Sequence, residues 1–336
     1  MKKIKSLLIV LFVGACVMSS CSLNDTSVEA QKSGSSGRTL EIMLVANEKV
    51  YSGETRDFID SLFEQPQINL NQPEPIFNVI NIPIGLFNSS DLYNKHRNII
   101  IVDVNSKNEN KIFITHDKYS YPQTIFQISA SNTGELRSLL TKHFDQISGE
   151  IYNKERLRVN NAFKRLENID VTKALKQNFG FWLTVSNEFQ LSVLDENFAW
   201  IRKEAKDYSI GILIHTQPYR DSVVFREKYI LNQLDTTMKQ HIPGPLNGTY
   251  MAVERRVEPV SEQITLDGRF CIETRGLWRL IGDFMGGPFV NYTFTSPDNN
   301  TLIMLTGYVY SPRKPKRDFL LQAECICHSI KFNKSK

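Results

Sequence analysis

No CxxC, HExxH or comparable spacing of metal ligands occurs in the 336 residues, so no local motif for a zinc centre is encoded and no metal is expected. GxSxG, a P-loop and a Gly-rich dinucleotide fingerprint are missing too. No cofactor is therefore implied, and any enzyme here would have to assemble its groups in space rather than in line, which leaves the catalytic residues unknown. Charge of one sign is scarce: 40 Lys and Arg face 36 Asp and Glu. No basic stripe interleaved with aromatics appears, which excludes nucleic acid as a partner. Beyond the first twenty residues no apolar run is long enough to span a bilayer, which takes roughly twenty residues. Cysteine is rare, at five, and buried small hydrophobes are the expected role of Cys271, Cys325 and Cys327.

What is present begins with an address. Lys2, Lys3 and Lys5 precede the unbroken apolar run Leu7 to Val13, and Gly14, Ala15, Ser19 and Ser20 follow. This charged, apolar, small-residue order is that of a secretory signal peptide. It resembles a bacterial lipoprotein signal, in which a small-residue tract ends in a cysteine that is lipidated and becomes the new N-terminus. "MSSC" places that cysteine at Cys21 and "VGAC" at Cys16; Cys21 leaves the fuller apolar segment and is favoured. Residues 1–20 then read as the signal and 21–38, polar and Ser/Gly-rich, as a flexible tether. The acylated Cys21 would make the lipid bilayer a partner, since several chains hold where one holds only marginally. Surface-exposed lipoproteins of the resembled kind carry an acidic cluster right after the cysteine, whereas here only Asp25 follows closely, so the resemblance implies the periplasm-facing side of an outer membrane.

The remaining chain divides into two α+β regions of similar size, 39–165 and 166–336. "LEIMLVA", "IFNVINIPI", "NIIIVDV", "KIFITHD" and "QTIFQISA" read as strands, Gly53 to Phe63 as a helix, and Asn132 or Thr133 caps a helix running to about Phe163. In the second region Asp267-Gly268 marks a hairpin turn, and "SPDNN" joins another pair of strands. Leu277, Leu280, Ile281, Phe284 and Met285 in "GLWRLIGDFM" fall at helical spacing, predicting a one-faced helix ended by Gly286-Gly287. Strands outnumber helices and many are hairpin-linked, which argues α+β with mainly antiparallel sheets.

"QPEPIF" (Gln72 to Phe77), "HRNIIIVDV" (His96 to Val104), "YPQTIFQI" (Tyr121 to Ile128), "FAWIR" (Phe198 to Arg202), "GTYM" (Gly248 to Met251), "RGLWR" (Arg275 to Arg279) and "MGGPFV" (Met285 to Val290) together resemble the signatures of a Bacteroidetes envelope lipoprotein family, domain of unknown function 4837. The resemblance implies a lipid-anchored envelope protein of one architecture. It implies no activity and no catalytic residue.

The residues themselves offer two ligand-face candidates. Arg275 and Arg279 flanking Trp278 combine guanidinium forks with an indole, suited to an anion or sugar. His96 and Arg97 precede an apolar strand and would stand at a sheet edge. The bland alternatives are a core helix and hydrogen bonds to a neighbouring loop. Two function classes follow. One is a non-catalytic binding or assembly module contacting an envelope protein or glycan. The other is an envelope hydrolase with carboxylate chemistry, for which Glu74, Glu273 and Asp283 are candidates.

Overall fold

Five consecutive residues of β1 (Glu41–Val45) are buried, as the run EIMLV requires of a strand covered on both faces. After α1 (Gly53–Phe63), β2 (Asn78–Ile82) returns parallel to it. Short helices α2 (Ile84–Ser89) and α3 (Asp91–Asn94) lead to β3 (Asn98–Val104), followed by β4 (Lys111–His116) and β5 (Thr124–Ala130). The sheet order is β2-β1-β3-β5-β4, with only the edge strand β4 antiparallel to its neighbour. The parallel pairing has a physical reason: crossovers carry helices over the sheet and bury both faces of its apolar strands. Along α4 (Thr133–Arg165), Leu136, Leu140, Ile147 and Ile151 form the stripe that packs on this sheet, and Asn132 caps the helix by accepting from Glu135 N at 2.9 Å. The computed structural model describes residues 32–333; the chain divides after Ser33, and the described residues from Gly34 onward belong to one compact unit. The signal, Cys16, Cys21 and most of the tether lie outside the described residues.

The second sheet is larger and antiparallel. After α5 (Ile169–Phe179) and β6 (Phe181–Trp182) come β7 (Gln190–Leu194), β8 (Phe198–Glu204) and β9 (Ser209–Pro218). Then follow α6 (Glu227–His241), β10 (Tyr250–Val253), β11 (Val260–Leu266), β12 (Arg269–Ile281), β13 (Gly286–Thr295) and β14 (Thr301–Tyr310). The chain closes with α7 (Arg317–His328) and β15 (Lys331–Phe332), which pairs with β6. Strand order is β10-β12-β13-β14-β9-β8-β7, with β11 also on β12. Asp267 and Gly268 both adopt positive φ, 48° and 77°, and form the expected tight turn between β11 and β12. The fold is α+β with predominantly antiparallel pairing.

One expectation is corrected. The segment Arg275 to Met285 is no helix: through Ile281 it is the second half of the 13-residue strand β12, and the rest turns into β13. Apolar residues stand on both faces of β12, because helices cover the sheet on each side. Strict alternation is lost, and Leu277, Leu280 and Ile281 imitate a helical stripe. Gly286 and Gly287 open β13 instead of capping a helix.

α7 holds the two sheets together. Leu320, Ala323, Ile326 and Cys327 join the core of the large sheet, while Leu321 and Cys325 join that of the small one. Gly307 on β14 lets the helix come close, since a Cβ there would stand 2.7 Å from the Ala323 methyl.

Candidate functional site

The strand geometry of β12 separates the residues that a helix would have gathered. Arg275 and Arg279 point to the face that α7 covers; Trp278 points to the opposite face. Arg275 is spent inside the fold, with Nε 2.6 Å from Glu273 Oε1 and Nη1 2.7 Å from Glu324 Oε1. Burial opposes ionisation of Glu273, but the Arg275 guanidinium holds its carboxyl below the usual range. Arg279 is half-exposed beside Glu254, 3.9 Å away. His96 and Arg97 belong to the other sheet, where both are internally bonded. His96 Nε2 lies 3.0 Å from Glu41 Oε1 and Nδ1 3.0 Å from Asn98 O. Arg97 Nη1 donates to Glu155 at 2.9 Å, and Arg158 meets the same carboxylate at 3.0 Å. Burial lowers the Arg158 guanidinium to about 10, against the pull of Glu155. These residues lock the start of β3 to α4.

The proposed carboxylates are likewise engaged and scattered through the fold. Glu74 accepts from Lys316 N at 2.7 Å and Arg317 N at 2.9 Å, capping α7 from a distant loop. Glu273 pairs with Arg275, and Asp283 sits half-buried in the β12–β13 turn, accepting from Phe284 N. Among the described residues no cluster of His, Cys, Asp and Glu is arranged to hold a metal ion.

Trp278 leads to the site that sequence reasoning missed. Helix α6 lays Ile230, Leu231, Leu234 and Met238 over Phe198, Leu213 and Met304, covering only part of that face of the large sheet. Farther along the same strands, where no helix lies, Trp200 and Arg202 on β8 and Tyr308 and Tyr310 on β14 line a half-open cavity of about 700 Å³. Trp278, Leu280, Met251 and Met285 form one end of it; the β8–β9 turn, Glu204 to Ser209, with Pro312 and Arg313, forms the other.

The aromatic lining is rigidly interlocked. Trp200 Nε1 donates to the Tyr308 hydroxyl at 3.0 Å, and Trp278 Nε1 donates to Val309 O at 3.1 Å. Trp278 meets Tyr308 edge-on at 5.7 Å, and the Arg202 guanidinium lies 4.6 Å from the Trp200 ring centre. Tyr308 folds down over Gly211, where a Cβ would fall 2.1 Å from the ring; this position needs glycine. At the charged end Arg202 stands 3.5 Å from Glu204, and Lys314 3.2 Å from Asp207. Partial burial pushes the Glu204 carboxyl above its usual range, against the opposing pull of Arg202. "FAWIR" was visible as a stretch, but nothing linear shows that β8 and β14 are one strand apart.

Residues 168–329 match a family model described as domain of unknown function DUF4837, which supports the resemblance, and residues 35–164 match a second, domain of unknown function DUF8532. The signatures between Gln72 and Ile128 thus fall in the stretch covered by the second model. No curated protein matches the chain. Solved structures that match include LpqN of Mycobacterium tuberculosis, involved in cell envelope biogenesis. It is 12% identical over 45% of this chain and 81% of its own, with a TM-score of 0.28. A Bacteroides thetaiotaomicron protein is 6% identical over 46% of each chain, with a TM-score of 0.26. A mutant of protein Mog1 is 8% identical over 46% of this chain and 90% of its own, with a TM-score of 0.28.

Proposed function

We propose that this is an envelope lipoprotein, anchored through acylated Cys21 to the periplasmic side of the outer membrane, that binds a ligand without transforming it. The observation that carries the binding role is the uncovered half-face of the large sheet. Aromatic and aliphatic residues that α6 could have covered instead line an open cavity with charged groups at one end. The anchor rests on the N-terminal sequence pattern; among the described residues no helix is long and apolar enough to cross a membrane. Native mass spectrometry of the full chain extracted from its own membrane tests both parts. The expected spectrum shows a mature chain beginning at diacylated or triacylated Cys21 and a non-covalent companion mass that Met285→Glu removes. A chain beginning at Cys16, or unmodified at Cys21, overturns the anchor; absence of any companion in either protein counts against the binding role.

One observation favours the hydrolase as a second reading: Glu204, with its raised carboxyl, shares the cavity with Asp207. Turnover of an envelope glycan that Glu204→Gln abolishes would establish it over the binder.

A further inference from the structure

We propose that the ligand of this cavity is a single-chain anionic amphiphile, its aliphatic tail lying toward β10 and β12 and its acidic head at the β8–β9 turn. This inference rests on the cavity being a binding site and adds which chemistry fills it.

The cavity runs across the sheet, not along a strand. From Trp278 and Leu280 on β12 to Trp200 and Arg202 on β8 it crosses β13, β14 and β9. Four strand spacings amount to roughly 19 Å. Spread over that length, about 700 Å³ leaves a narrow trough suited to a linear molecule.

Its aromatic floor offers little hydrogen-bonding capacity beyond the Tyr310 hydroxyl. Both indole N–H groups are already donated, to Tyr308 and to Val309, and the Tyr308 hydroxyl is engaged by Trp200. One face of Trp200 is taken by Arg202, and Trp278 is only 4% exposed. A sugar needs a free aromatic face for its ring and partners for several hydroxyls; this floor supplies neither in quantity. A hydrocarbon chain needs neither.

The two ends differ in kind. Ile242, Pro243, Met251, Leu280 and Met285 make one end wholly apolar. Just outside it the loop before β10 and the turn after β12 expose Leu246 at 60% and Phe284 at 106%. Tyr250 pairs with Ile281, so both turns stand at the same end of the sheet. The opposite end carries Arg202, Lys206, Arg313 and Lys314 against Glu204 and Asp207. Arg202 and Lys314 are paired with those carboxylates, whereas Lys206 and Arg313 have no hydrogen bond or ion pair to any described residue. Two unspent cations at the polar end of an apolar trough complement an anionic head.

The test uses the full chain with Trp182→Phe, so that the two remaining tryptophans, Trp200 and Trp278, both report from the cavity. Tryptophan emission is followed on titration, below micelle-forming concentrations, with laurate, lauroyl-lysophosphatidylglycerol, dodecanol and an N-acetylglucosamine oligomer. Laurate or the lysolipid should give a saturable change, at least tenfold tighter than dodecanol. Which of the two binds more tightly tells a free carboxylate from a phosphodiester head. Lys206→Gln with Arg313→Gln, both exposed positions, should erase that tenfold preference while leaving dodecanol unaffected. Met285→Glu should abolish the change for both acids. Equal affinity for dodecanol and laurate overturns the head assignment. Saturation by the sugar oligomer alone overturns the amphiphile but leaves the cavity as a binding site. No response to any probe overturns both.

Discussion

Arg275 and Trp278 are three residues apart and hold opposite sides of one sheet. Arg275 neutralises two carboxylates beneath α7, and Glu324 is only 3% exposed. Removing one partner of such a buried pair strands the other charge, a loss of about 3–5 kcal/mol. Arg275→Ala should therefore unfold at clearly lower urea concentration than the parent. Arg275→Ala combined with Glu324→Gln should recover part of the loss, because the stranded charge is then gone. If the double variant is no more stable than the single one, the pair is not what Arg275 contributes. Trp278→Ala should cost a similar amount, about 3–5 kcal/mol for a buried indole, by opening a cavity and orphaning Val309 O. The two effects should add within a few tenths of a kcal/mol, since the side chains lie on opposite faces and share no partner. Strong coupling between them in a double-variant cycle would contradict the strand geometry.

At the scale of elements, α7 depends on a loop more than two hundred residues earlier in the chain. Its own N-cap position, Lys316, supplies no side-chain acceptor. Glu74 supplies it instead, and its negative charge also suits the positive end of the helix. The prolines around Glu74 fix that loop, and Arg317 ties it down through Pro75 O at 2.7 Å. Glu74→Ala should cost about 1–2 kcal/mol, read as a lower melting temperature with faster amide exchange in the first turn of α7. Unchanged exchange there would argue against the cap. What sequence could show follows the same division between local and distant. The 33-residue α4 was legible because its cap and its apolar stripe are written locally. So was the Asp267-Gly268 turn, which needs positive φ at two successive residues. The second half of β12 was misread because burial on both faces erases period two. The cavity was not legible at all: it exists because α6 stops short over a face built from β8, β12 and β14, and helix coverage is a tertiary property.

Across the whole molecule, two half-buried histidines stay neutral on opposite sides of the large sheet. His215 is held down to about 4 by burial, with His241 nearby adding repulsion. His328, edge-on to Tyr292 at 4.9 Å, is held down to about 4 by burial and by Arg156. In the unfolded chain both titrate near 6.5. The unfolded state therefore takes up protons first as pH falls, and stability drops between pH 6.5 and 4 instead of rising. Each histidine contributes up to about 3 kcal/mol over that window. Carboxylates lowered by their partners, such as Glu254 at about 2 beneath Arg256, add their own loss only below about pH 4.5. The interval from pH 6.5 to 4.5 is thus set mainly by the histidines, with the raised Glu204 carboxyl opposing them near its lower end. Urea unfolding across that interval should show the free energy falling toward acid, with a slope approaching two protons, about 2.7 kcal/mol per pH unit. His215→Phe with His328→Phe should flatten it, since no neutral imidazole then remains to be charged on unfolding. A parent slope near zero would mean that both rings already carry their protons, or reach water, in the folded state.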